Sequence, residues 1–231
     1  MSEIAVQALG VSVDFGGHLA LDGASLTLPF GNVTALAGAN GAGKTTLLRA
    51  LAGLIPQATG EMTTAGYDPR TTPPAILASV RAYGAQAAYS AWDFALSDFP
   101  FLSSDPVLCD AWLERLELAD LRHRRLSQLS VGQKKSAHLA LTIAALGEPF
   151  GKIILLDEPT VGLDIARQEL VQQACLDLAF AGAACVVATH DMNCIRRCHQ
   201  VAVLSEGRLI AYGTPATTLT PAIIYETWGV S

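Results

Sequence analysis

Lys44 and Thr45 end the run Gly38-Ala39-Asn40-Gly41-Ala42-Gly43-Lys44-Thr45, which satisfies the pattern G-x-x-x-x-G-K-T. That spacing suits the binding of a phosphate chain. The glycines let successive backbone amides turn inward around an anion, a following helix N-terminus adds partial positive charge, and the Lys44 ammonium reaches the outer phosphates. Thr45 offers a hydroxyl to Mg2+, and Thr46 carries the cradle into the helix. A glycine-rich turn without a ligand is the competing reading. It would not require an apolar strand before the loop and a helix after it, yet Val33–Ala37 is apolar and 45–52 is rich in helix formers, with Gly53 as the stop.

A second acidic group is needed for chemistry on a bound phosphate. Residues 153–156, Ile-Ile-Leu-Leu, lead directly into Asp157-Glu158. Ligands of open α/β sheets bind at the C-terminal ends of the strands, so Asp157 is placed to hold Mg2+ through water and Glu158 to orient or deprotonate an attacking water. Acids after a strand also commonly start helices. The glycine-rich loop favours the catalytic reading.

These groups must be positioned by a sheet. Residues 80–83, 153–156 and 185–188 are short and apolar, as strands buried on both faces are, and helical stretches separate them. The pattern predicts a wound α/β core. Near the N-terminus Val11, Val13 and Phe15 alternate, and residues 24–28 follow the turn signal Gly16-Gly17, which predicts an antiparallel pair. Between Gln86 and Ser130 the pattern becomes aromatic and proline-containing, then amphipathic over 106–118 with Asp105 as cap, and predicts a small inserted helical lobe. Two alternating runs around Glu206-Gly207 predict a hairpin, and Thr220-Pro221 opens a last short helix.

The bulk composition narrows the function classes. A length of 231 residues fits one α/β domain, and a net charge of −6 argues against a nucleic-acid surface. The longest stretch free of charged residues, 23–43, is broken by Pro29, Asn32, Asn40 and glycines, so it is not a spanning helix. Residues 1–10 show no secretory signal, and a cytoplasmic location is expected. The five scattered cysteines have no framework spacing and are expected to be reduced. His190, Cys194 and Cys198 fall at i, i+4, i+8 with His199 beside them, but three ligands on one helix face cannot by themselves enclose a tetrahedral metal.

One further segment connects these pieces. Leu129-Ser130-Val131-Gly132-Gln133 precedes Asp157-Glu158-Pro159-Thr160 and Gly162-Leu163-Asp164. In that order, over nearly the whole chain, the sequence resembles the ATP-binding subunits of ABC transporters. The resemblance implies an α/β fold with a P-loop NTPase (RecA-like) core, an antiparallel β subdomain and an inserted α-helical subdomain. It is one domain over 1–231, with the core in 1–86 and 131–231 and the helical part in 87–130.

It also implies ATP and Mg2+ as cofactors and assigns roles by position. Phe15 stacks on adenine, Gln86 senses Mg2+ and the membrane partner, and His190 steadies the γ-phosphate. Asp164 couples two sites across a dimer, and Glu158 remains the catalytic carboxylate. Without that context Phe15 reads as strand core, Gln86 as a polar loop residue and His190 as a strand-end histidine. Ser130, Gly132 and Gln133 open a helix whose N-terminus suits an anion, and the resemblance places there the γ-phosphate bound to a second subunit.

The implied assembly is a homodimer on integral-membrane permease subunits, with a substrate-binding protein as a further partner. The chain would be peripheral on the inner face of the cell membrane. The single set of motifs makes it half of a motor. Tyr212-Gly213-Thr214-Pro215, Leu219-Thr220-Pro221 and 225–230 resemble importers of metals or metal chelates. The aromatics Tyr89, Trp92, Phe94 and Phe99 in 86–101 are expected to be exposed in a groove for the permease. Two residues depart from the family pattern: Val131 stands where glycine is usual and Ser136 where arginine is usual, and Lys134 and Lys135 are the cations nearest to the gap. They are the best support for an alternative, a soluble regulatory protein that uses ATP as a switch and hydrolyses little.

Overall fold

The computed structural model describes residues 3–86, 93–103 and 105–229. Two long strands come first, β1 (Ile4–Asp14) and β2 (Leu19–Pro29), paired antiparallel through the turn at Gly16 and Gly17. Phe15 lies just beyond β1 in that turn, so it is half exposed instead of continuing the buried row of Val11 and Val13. Next come β3 (Val33–Ala37), α1 (Lys44–Leu51) and β4 (Thr59–Thr64). Strand β4 joins the other side of β1 and makes a three-stranded sheet where the sequence pattern predicts a pair. Its run Thr-Gly-Glu-Met-Thr-Thr buries only Met62 and Thr64, too weak an alternation to be seen without its partner strand.

The chain continues through α2 (Pro74–Val80), β5 (Arg81–Gly84), α3 (Phe99–Leu102), α4 (Pro106–Arg115) and α5 (Val131–Leu146). Asp105 caps α4 by accepting the Leu108 N–H at 2.9 Å. Helix α4 ends earlier than the amphipathic pattern predicts, because Glu117 takes a left-handed φ of 56°. Then follow β6 (Ile153–Asp157), α6 (Ile165–Phe180), β7 (Ala184–Thr189) and α7 (Met192–Arg197). The hairpin β8 (Gln200–Ser205) and β9 (Arg208–Gly213) turns at Glu206-Gly207, and α8 (Pro215–Thr218) and α9 (Pro221–Trp228) finish the chain.

The main sheet has the order β5-β6-β7-β3-β8-β9, parallel except for β9. Its central strands are buried throughout and mostly apolar because each feeds two cores. Ile154 and Leu156 of β6, and Cys185 and Val187 of β7, face the layer of α4, α5, α6 and α7. Ile153 and Leu155, with Val186 and Ala188, face α1 and the three-stranded sheet. Burying a leucine or isoleucine on either side stabilises the fold by about 2 kcal/mol, so the C-terminal edge of this sheet is a firm mount for the loops that leave it.

One sequence expectation fails in the stretch before α4. Phe99 is not exposed but 1% accessible, packed into the same core as Leu96 and Trp112, while Phe101 on the opposite side of the short helix is the exposed ring. Phe94 is partly buried against that core, and Tyr89 and Trp92 lie outside the described residues. No helix among the described residues is long and apolar enough to cross a membrane.

Candidate nucleotide site

The loop after β3 takes its shape from glycine. Gly38 has φ 151°, and a Cβ there would meet the Leu204 carbonyl oxygen at 2.3 Å; Gly43 has φ 100°, with the Ala20 carbonyl oxygen 2.7 Å from the same hypothetical atom. Any side chain at these two positions would push the loop off β8 or β2. Gly43 is also the N-cap of α1 and offers no side-chain acceptor, so the amides of the first turn stay open toward an anion.

Lys44 is buried and turns back into the loop, where its Nζ donates to the Gly38 and Ala39 carbonyls at 2.9 and 3.0 Å. Burial lowers its pKa, opposed by the carboxylates of Glu158 and Asp157.

Strand order brings in the rest. Because β7 lies between β3 and β6, residues leaving β7 sit between the glycine loop and Asp157-Glu158. Thr45 Oγ1 donates to Asp157 Oδ1 at 3.0 Å, and His190 Nδ1 lies 2.9 Å from Glu158 Oε1. Lys44 Nζ is 3.9 Å from the same Glu158 oxygen. Glu158 itself holds a left-handed φ of 48°, uncommon for a residue with a Cβ and of the kind stored at functional sites. Its Oε2 is buried without a hydrogen-bond partner among the described residues, which leaves an acceptor available to a bound group.

Asp157 is buried as well, and burial raises its carboxyl above the ordinary range despite the Thr45 bond. A hydroxyl and a carboxylate oxygen in contact are hard oxygen donors of the kind Mg2+ takes alongside phosphates and water, so the residues present fit that ion.

An open cleft of about 490 Å³ is lined by Phe15, Asn40, Gly41, Ala42, Gly43, Lys44, Thr45, Thr46, Gln86 and Glu158, together with His18 and Ala20. The structure thus gathers residues from both sheets. Gly38 and Ala39 join through Lys44, Asp157 through Thr45, and His190 through Glu158. Ser130, Gly132, Gln133 and Asp164 do not line this cleft. They form a separate surface. Ser130 caps α5, its Oγ accepting the Gln133 N–H at 3.2 Å while Gln133 Oε1 accepts the Ser130 N–H at 2.9 Å, a reciprocal capping box. Asp164 caps α6 by accepting the Arg167 N–H at 2.9 Å. His190 turns to Glu158, whereas Cys194 and Cys198 are buried in the core, so the helix-face metal arrangement does not form.

Sequence reasoning missed two residues and left the role of a third, Lys135, open. His18 reaches the cleft from the turn beside Phe15 and carries no motif of its own. Tyr83 stands in β5, half-buried, with its hydroxyl 3.5 Å from Asp157 Oδ2 and 3.4 Å from Arg49 Nε; its place three residues before Gln86 was the available signal. Lys135 runs from α5 to the Val161 carbonyl, next to Glu158 in space, and burial lowers its pKa. It supports the turn after Asp157-Glu158.

Comparison with known proteins agrees with this geometry. Residues 21–161 match the ABC transporter family. The hemin import ATP-binding protein HmuV of Myxococcus xanthus is 32% identical over 98% of this chain and 91% of its own length. HmuV of Bordetella parapertussis is 36% identical over 97% and 92%. Among solved structures, an inward-facing transporter described as metal-chelate type superposes with a TM-score of 0.81 at 23% identity, covering 99% of this chain and 90% of the other. CbiO1 of Clostridium perfringens, part of the complex cbiONQ, gives a TM-score of 0.81 at 22% identity, covering 97% and 94%. The matched span includes Lys44, Thr45, Asp157 and Glu158, and the chain belongs to the ABC transporter family as an ATP-binding, ATP-hydrolysing member.

Proposed function

We propose that this chain is the ATPase subunit that drives import through a separate membrane permease, and that the cargo is a metal chelate of the hemin class. The cargo class rests on relatives named for hemin import and on a structural neighbour of metal-chelate type. The chain is then peripheral on the inner face of the membrane, with permease subunits as its partners and a substrate-binding protein delivering the cargo.

In this reading Phe15 stacks on the adenine, the loop amides and Lys44 hold the phosphates, and Glu158 accepts a hydrogen bond from the attacking water and draws off its proton. His190 holds Glu158 Oε1 and faces the γ-phosphate, which leaves Oε2 for the water. Thr45, Asp157 and Gln86 would hold Mg2+, which supplies charge neutralisation at the phosphates when bound. The Ser130–Gln133 turn and Asp164 serve the nucleotide of a second copy, so two chains enclose two ATP molecules.

The observation that carries the paired site is the separation of its parts: a cleft lined by the glycine loop, Lys44 and Glu158, and an anion-suited helix start, capped but outside that cleft. Steady-state ATP hydrolysis across protein concentration tests it, beside sizing of Glu158→Gln with ATP. Hydrolysis rising faster than linearly with concentration, and an inactive variant that pairs on ATP, are expected; the variant loses about 10²-fold or more in rate. Wild type that binds ATP but neither pairs nor hydrolyses, even with a permease partner, would overturn the motor and favour an ATP-operated regulatory switch.

A further inference from the structure

The Ser130–Gln133 turn and Asp164 belong to different helices, and one side chain bridges them. Arg167, on the first turn of α6, keeps only 16% of its side chain accessible. Its backbone N–H is taken by Asp164 Oδ1 and its Nε lies 3.9 Å from Asp164 Oδ2. Its Nη1 donates to Ser136 Oγ at 3.4 Å, and Ser136 is itself 1% exposed on α5. The stem runs along Gly132: a Cβ there would stand 3.2 Å from Arg167 Cδ and 3.3 Å from Leu163 Cδ2.

A guanidinium largely removed from water is costly unless acceptors hold it, and here the acceptors it meets come from both helices. The small Ser136 leaves room for it, and the missing Cβ of Gly132 leaves room for its stem.

We infer that Arg167 is a positioning residue which locks the phosphate-capping turn of α5 to Asp164, so that both present to a partner copy's nucleotide as one rigid surface. The inference rests on the paired-site reading above. Arg167 does not line the chain's own cleft, so its loss should act on pairing and turnover and spare the binding of ATP to the single chain. The serine at 136 and the arginine at 167 then form one device, in which the cation that ties the capping turn down arrives from the neighbouring helix.

Full-length Arg167→Ala, Arg167→Lys and the double variant Arg167→Ala/Ser136→Arg test this. Three quantities are read: ATP affinity of the single chain at low concentration, the ATP concentration for half-maximal pairing in a Glu158→Gln background, and kcat with KM. For Arg167→Ala, unchanged single-chain affinity, a pairing midpoint raised about tenfold and kcat lowered about tenfold are expected. Arg167→Lys should recover part of both, and the double variant, which returns a guanidinium from the other helix, should recover more than Arg167→Ala. Should alanine at 167 prevent folding, Arg167→Gln keeps most of the stem and carries the same readouts.

Pairing and kcat equal to wild type overturn the inference. So does a loss of pairing matched by an equal loss of single-chain affinity, because that is general damage. A wild-type chain that does not pair overturns the paired-site reading and this inference together, whereas a wild type that pairs no better than its Arg167→Ala form overturns the inference alone.

Discussion

Lys44, Asp157 and Glu158 are 6%, 2% and 6% exposed, while Val131 and Ile165, beside Ser130 and Asp164, are 66% and 78% exposed. Both regions suit phosphate, yet they are built by different means. The buried one is held by neighbouring parallel strands, so its charged groups contact one another within the chain. The exposed one is held by two helix caps, which fix the local backbone and leave the outer surface free. Preorganised, dehydrated groups interact strongly with a developing charge, and a capped helix start contributes only when a ligand is brought against it. Under the paired-site proposal, the buried region is a finished binding cleft and the exposed one a wall that a second copy completes.

The largest expected effect lies on the buried side. Lys44→Ala removes a charge-assisted donor to the phosphates and should weaken single-chain ATP binding by about 10²-fold, measured by fluorescence titration. A loss below threefold would place the main phosphate contact elsewhere and blur the contrast. Phe15→Ala comes next. A base–aromatic stack is worth about 1–3 kcal/mol, so the dissociation constant for ATP should rise about tenfold, whereas that for inorganic triphosphate should not change. An equal change for both ligands would mean that Phe15 shapes the turn and does not hold the base.

The smallest effect concerns stability. Burial raises the Asp157 carboxyl above the usual carboxylate range in the folded protein, so its favourable contribution is complete at pH values below the unfolded value near ~4 and is lost as pH rises through the folded value. Asp157→Asn should therefore raise the Tm of nucleotide-free protein by about 2 °C at pH 7 to 8, with the gain vanishing near pH 4, while Mg2+-dependent hydrolysis is lost. A lower Tm at neutral pH would show that the ionised carboxylate is net stabilising there, its partners outweighing its burial.

Much of this was legible in the sequence because the informative signals are local. The glycine spacing of 38–43 and the fully apolar run before Asp157 each act over a few residues, where steric and burial rules apply directly. Strand β4 and the inward turn of Phe99 were not legible, because a weak alternation and an aromatic residue near a proline gain their meaning only from what packs against them. Tyr83 escaped for the same reason, because a tyrosine in a strand stands out only when its partners are known, and Lys135 stood out only as a nearby cation until its contact with the Val161 carbonyl was visible.

The sequence by itself determined that a phosphate cradle follows one strand, that two acids follow another, and that the ATPase family is readable from their order. Tertiary structure decided which groups meet. Thr45 and Asp157 are 112 residues apart, His190 and Glu158 are 32 apart, and Arg167 and Ser136 are 31 apart. Those meetings depend on β7 lying between β3 and β6 and on α6 packing beside α5. Strand order and helix packing are settled by burial across the whole chain, which local sequence pattern does not encode.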